Sequence, residues 1–184
     1  MARTESAMLA LGTSAPEFNL RDVLTDEMVS MKFIAGPKGL LVMFICRHCP
    51  FVNHLEKALA QLGMDYEGKG IGIAAISSND AANYPEDAPE SLAEQARELS
   101  FPFPYLYDET QDVARAYDAT CTPDFFLFDS ELKLVYRGQF DGSRPGNEAP
   151  VSGNDLRRAI DALLADQPID LVQKPSLGCN IKWK

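Results

Sequence analysis

The run Leu41-Val42-Met43-Phe44-Ile45-Cys46-Arg47-His48-Cys49-Pro50 decides the reading of this chain. Five apolar residues end at a cysteine, and two residues later comes a second cysteine. Beyond it, Phe51, Val52, Leu55, Ala58, Leu59 and Leu62 fall on one helical stripe that stops near Gly63. The pattern predicts a strand buried on both faces, a short turn and the first turn of a helix. A thiol at a helix N-terminus meets the positive end of the helix dipole and unpaired backbone N–H groups, which favour the thiolate. With a two-residue spacer, the second thiol can close a disulfide in the same turn, so the geometry supports two-electron thiol–disulfide exchange. A C-x-x-C also serves zinc, but zinc motifs carry a second Cys or His pair at a set spacing. Here Cys121 and Cys179 stand alone in the sequence, and no metal or other cofactor is expected.

Outward from this run, the elements alternate. Residues 17–34 suggest two short strands joined near Thr25-Asp26-Glu27. Ile71–Ile76 is a second buried strand, followed by a polar, proline-bearing loop and a helix over 90–100. Phe103–Tyr107 reads as a short strand and 109–118 as a short helix. Phe125–Asp129 and Leu132–Tyr136 make a hairpin around Ser130-Glu131, and a helix over 153–166 carries Leu156, Ile160, Leu163 and Leu164. Strands alternating with helices and ending in a hairpin and a helix indicate an α/β fold with a mixed sheet. Residues 1–167 are expected to form one domain. Pro168 and Pro175 make 168–184 an extended tail, and the chain's one tryptophan, Trp183, argues that this tail docks.

Composition narrows the function. The chain has 184 residues, enough for a full core in a single domain. A net charge of -10 argues against nucleic acid as a partner. No apolar run approaches membrane-spanning length, and the polar start Met1–Ser6 lacks a secretory h-region. Four cysteines suit a reducing, cytoplasmic setting, where a C-x-x-C is catalytic more often than structural.

Cys46-Arg47-His48-Cys49 after a buried strand, with Thr122-Pro123 before another, resembles the thioredoxin superfamily. The opening Gly12-Thr13-Ser14-Ala15-Pro16-Glu17-Phe18 is similar to the redoxin branch, which holds peroxiredoxins and bacterial thiol–disulfide oxidoreductases. Cys-x-His-Cys-Pro-Phe-Val, Cys-Thr-Pro-Asp-Phe-Phe and the tail Gly-Cys-Asn-Ile-Lys-Trp-Lys resemble a cytoplasmic, peroxiredoxin-like subgroup. The resemblance implies a thioredoxin-like fold with an N-terminal β-hairpin extension. It makes Cys46 the attacking and Cys49 the resolving cysteine, and Pro123 a cis-proline facing the pair. Thr122 would lend its backbone to an extended substrate. The partners implied are protein disulfides and a thiol electron donor.

Departures from the family refine this. The spacer is Arg47-His48 rather than Gly-Pro, and both side chains are expected to favour the Cys46 thiolate and make the pair more oxidising. The peroxidase signature Pro-x-x-x-Thr-x-x-Cys is absent, since Gly39 and Met43 precede Cys46, and Val42 and Cys46 precede Cys49, at its positions. Thiol-dependent peroxide reduction is therefore the alternative activity, and a metal-holding module built on Cys46, Cys49 and Cys121 a more distant one. Cys121 and Cys179 are possible auxiliary thiols, with packing away from the site the preferred reading of Cys179. Glu86-Asp87 reads as solvated charge, His54 as a surface or satisfied residue, and 141–147 as a polar surface loop.

Overall fold

The computed structural model describes residues 3–184. Its strands are β1 (Arg3–Glu5), β2 (Asn19–Asp22), β3 (Met28–Ser30), β4 (Gly39–Phe44), β5 (Ile71–Ser77), β6 (Tyr105–Tyr107), β7 (Cys121–Thr122), β8 (Asp124–Asp129), β9 (Leu134–Gly138) and β10 (Leu177–Asn180). Its helices are α1 (Met31–Ile34), α2 (Pro50–Tyr66), α3 (Pro89–Glu98), α4 (Asp112–Ala116) and α5 (Asn154–Leu164).

β4 is the centre of the molecule. All six of its residues are buried, and alternation sends them to two faces. Leu41 and Met43 pack in one core with Leu55, Leu59 and Leu62 of α2 and with Leu156 and Ile160 of α5. Leu40, Val42 and Phe44 belong to a second core with Met31 of α1 and Ala114 of α4. The uninterrupted apolar run thus records burial on both sides. The main sheet has seven strands in the order β3-β2-β6-β5-β4-β8-β9. β4 pairs parallel with β5 and antiparallel with β8, which makes the sheet mixed.

Two local differences from the sequence reading have simple causes. Residues 31–34 are helical because Ser30 caps them, its side chain accepting from Phe33 N. The tail does dock on its own domain, and it does so as a strand. β10 lies between β1 and β7 in a separate three-stranded sheet, with Cys179 opposite Thr122 and Asn180 opposite Cys121. These strands are too short for a periodicity to show. Beyond β10, Ile181 N donates to Thr120 O and Asp80 N to Lys182 O. Lys184 N donates to Gln111 Oε1. Trp183 keeps 42% of its surface exposed and lies 5.0 Å from the Arg115 guanidinium.

Candidate active site

The end of β4 and the start of α2 hold the C-x-x-C, but the helix begins later than its spacing suggests. α2 starts at Pro50, with Cys49 as its N-cap. Proline suits the first helical position because its missing N–H is one of the unpaired ones anyway. The helix N-terminus is therefore presented to Cys49, and Cys46 lies three residues ahead of it. That corrects the expectation that Cys46 is the thiol at the helix start.

Both cysteines are fully buried. Cys46 Sγ lies 3.3 Å from Thr122 Oγ1 and 3.9 Å from His48 Nδ1. Cys49 Sγ, as a thiol, donates to Thr122 O at 3.2 Å. The Thr122–Pro123 peptide bond is cis. Cys46, Cys49 and Cys179 are buried in one core, and both neighbouring thiols act on the ionisation of Cys49. The ionised form of Cys49 gains most from Cys46 as donor, and further from Cys179 and from the Val52 backbone N–H. Burial opposes ionisation, but the donors, the Thr122 side chain among them, win, and the thiol is lowered to about 5. Cys46 moves the other way: burial raises its pKa, helped by its donation to Cys49 and by the nearby Asp87 carboxylate. The two shifts run in opposite directions and favour the charge on Cys49, the helix N-cap.

A titration of thiolate absorbance near 240 nm should show this directly. We expect one thiolate in the reduced wild type that protonates only near pH 5, well below the ordinary ~8.5 of cysteine. Replacing Cys46 by Ala removes the main donor, so the midpoint should rise while the signal remains. Persistence of the low midpoint in Cys49→Ala would move the charge to another sulfur.

The spacer residues part company. The Arg47 guanidinium donates to Ser91 O at 2.6 Å and pairs with Glu94 at 3.0 Å and Glu98 at 3.6 Å. It is committed to α3 rather than to the Cys46 sulfur or a substrate, which corrects its expected role. His48 does face the site. It stacks on Tyr84 at 5.3 Å, and its Nδ1 forms a hydrogen bond with Asp87 that raises its pKa against the effect of burial.

Asp87 is the residue that sequence reasoning missed. It is fully buried, where solvated charge was expected. Its Oδ1 accepts from Arg47 N at 2.8 Å and His48 N at 3.0 Å. Its Oδ2 accepts from His48 and, at 2.8 Å, from Asn79 Nδ2. One carboxylate thus holds both N–H groups of the active-site turn. Asn79 Oδ1 in turn accepts from Lys182 N at 2.8 Å, which ties the tail to the same network. No local signal marks Asp87, because it acts on residues 40 positions away.

The other candidates divide. Cys121 is buried but turns toward Pro123 O at 3.6 Å, so it forms no three-thiol cluster with Cys46 and Cys49. Among the described residues the group able to converge on a metal is Cys46, His48 and Asp87, with ligand atoms within 4.8 Å of one another. A cation there would compete with the hydrogen bonds that hold the turn. Cys179 is at the site, against expectation, beside Cys49 and opposite Thr122. The backbone edge of Thr122 expected to receive an extended substrate is therefore filled by β10. His54 and the 141–147 loop also differ from expectation. Ser143 and Arg144 line a small cavity with Pro123, His54 and Leu177, and His54 Nε2 is buried without a hydrogen-bond partner.

Comparison with known proteins places the fold and the family. The crystal structure of an uncharacterized conserved protein from Geobacillus kaustophilus superposes with a TM-score of 0.98 at 53% identity, over 100% of this chain and 97% of that one. The thioredoxin domain of a thiol-disulfide oxidoreductase from Bacteroides vulgatus matches with a TM-score of 0.65 at 23% identity, over 85% of this chain and 99% of that one. The fold is thus thioredoxin-like. The thiol-disulfide oxidoreductase ResA of Geobacillus kaustophilus is 27% identical over 144 residues, 73% of this chain and 74% of its own length. The sequence profile of the AhpC/TSA family covers residues 11–137, and the chain belongs to that family.

Proposed function

We infer that this protein is a thiol–disulfide oxidoreductase that reduces protein disulfides with the Cys46–Cys49 dithiol. The observation that carries the reading is the placement of the two thiols: Cys49 caps α2, and both sulfurs lie against Thr122, next to the cis bond to Pro123. The Cys49 thiolate attacks one sulfur of a substrate disulfide and forms a mixed disulfide. The first substrate sulfur leaves as a thiolate. Cys46 then loses its proton and its sulfur attacks Cys49; the bond from Cys49 to substrate breaks, and the second substrate sulfur leaves with the electron pair and takes up that proton. Asp87 accepts from His48 Nδ1 and from the two N–H groups of the spacer, and so holds the turn that carries both cysteines. A thiol donor reduces the Cys46–Cys49 disulfide again. These roles invert the order that the family resemblance implied, because the helix starts at Cys49. We place this work in a reducing cytoplasm, where a C-x-x-C is catalytic more often than structural.

Equilibration in glutathione buffers, with insulin reduction measured in parallel, tests the reading. The expected outcome is loss of two thiols in one step, at Cys46 and Cys49. Stabilisation of the reduced form by the Cys49 thiolate should place the potential above the roughly -270 mV of thioredoxin. Peroxide consumption that far outpaces insulin reduction would favour the peroxidase alternative instead.

A further inference from the structure

A third sulfur shares the one core that buries Cys46 and Cys49: Cys179, which the chemistry just described does not use. Cys179 is 1% exposed, and β10 places it opposite Thr122, the residue whose carbonyl and hydroxyl touch Cys49 and Cys46. This placement is built in, since the neighbouring Gly178 leaves no room for a side chain. A Cβ there would lie 1.9 Å from Thr122 O and 3.1 Å from Pro123 N. Any other residue would push the strand away from the site. The tail beyond is fastened by Ile181, Lys182 and Lys184 to Thr120, Asn79 and Gln111.

We propose that Cys179 is a second resolving thiol, which closes a Cys49–Cys179 disulfide across the active site. The proposal rests on the oxidoreductase reading above. When Cys49 is joined to a substrate sulfur, Cys179 loses its proton and its sulfur attacks Cys49 Sγ. The Cys49–Cys179 bond forms, the bond from Cys49 to substrate breaks, and the substrate sulfur leaves with the electron pair and takes up the proton. The substrate disulfide is reduced to two thiols, and two protein thiols are oxidised to one disulfide. The bulk thiol pKa of Cys179 is high, pushed up to about 12 by burial and by its donation to Cys49. The second of those causes disappears once Cys49 carries a substrate and no longer accepts. Cys46 and Cys179 thus compete for the same mixed disulfide, and the oxidised protein is divided between two disulfides.

Arg47 makes the products easy to tell apart. Trypsin cuts between the paired cysteines and places the four on separate peptides, residues 39–47, 48–57, 116–133 and 159–182, because Lys174 is followed by proline. The full-length Cys46→Ser protein, treated with oxidised glutathione and quenched with acid and an alkylating agent, should yield peptide 48–57 linked to 159–182. The Cys46→Ser/Cys179→Ser protein should instead stop as a glutathione adduct on Cys49. A Cys46→Ser protein that accumulates this adduct while Cys179 stays open to alkylation after denaturation would overturn the proposal. The wild type separates the two readings. If it forms no disulfide between peptides 39–47 and 48–57, the oxidoreductase reading fails. If it does, and the Cys46→Ser protein forms no link to 159–182, only the role of Cys179 fails. Since a buried serine can disturb folding, the wild type is also mapped at partial oxidation. There the 48–57/159–182 link should accompany the 39–47/48–57 link, and its complete absence counts against the proposal.

Discussion

Replacing Cys49 with Ser is expected to cut insulin reduction by about 10³-fold or more, the scale of losing a reacting nucleophile. The argument is electrostatic and positional. Cys49 caps α2, shares its core with the Cys46 and Cys179 thiols, and has its pKa lowered by them. A serine hydroxyl in that place stays protonated and cannot open a disulfide. Cys46→Ser should behave differently. It should still react once with a disulfide, since Cys49 is intact, while sustained turnover falls. Stopped-flow measurement of the first turnover separates the two variants. If Cys46→Ser loses the first turnover and Cys49→Ser keeps it, the attacking role belongs to Cys46 and the helix-cap argument is wrong.

The second large effect is on stability. Asp87→Ala removes a fully buried carboxylate that accepts from two backbone N–H groups, one imidazole and one carboxamide. Breaking a buried charged pair from one side costs about 3–5 kcal/mol, which for a chain of this length is a fall in Tm of roughly 10 °C. Asp87→Asn keeps an acceptor oxygen and should lose less. The cost should also depend on pH. The pKa of Asp87 is depressed in the fold, so its contribution is present above its ordinary 3.8 and is lost as pH falls through the lower folded value. His48 is raised, so its share is full below its ordinary 6.5 and is lost as pH rises through the higher folded value. The gap in Tm between wild type and Asp87→Ala should therefore be widest between about pH 4 and 6.5. A gap that is flat from pH 3 to 9 would mean that packing, not the ion pair, sets the cost.

What could be read from the sequence followed from periodicity. The runs Leu41–Ile45 and Ile71–Ile76 gave away central strands because burial on both faces leaves no polar gap. The stripe from Phe51 to Leu62 marked α2. Elements of two or three residues, such as β1 and β7, have no period to detect, so the second sheet stayed hidden and with it the route by which Cys179 reaches Cys49. The missed features of the site are long-range in the same way. Asp87 looks solvated beside Glu86 and is buried only because the Arg47-His48 turn folds over it. The start of α2 was misplaced by three residues because a C-x-x-C specifies a turn near a helix end without specifying which cysteine is the cap. Arg47 misled for a related reason, since its partners Ser91, Glu94 and Glu98 lie on a helix that the local sequence does not mention.

Trp183 gives the docked tail an optical signature. Tryptophan emission responds to its neighbours, and this indole rests on the Arg115 guanidinium in the same tail that carries Cys179. The chain contains no other tryptophan, so its intrinsic fluorescence comes from a reporter four residues from that thiol. Spectra recorded without any label can therefore follow whether the tail stays seated as the active site passes between its dithiol and disulfide forms.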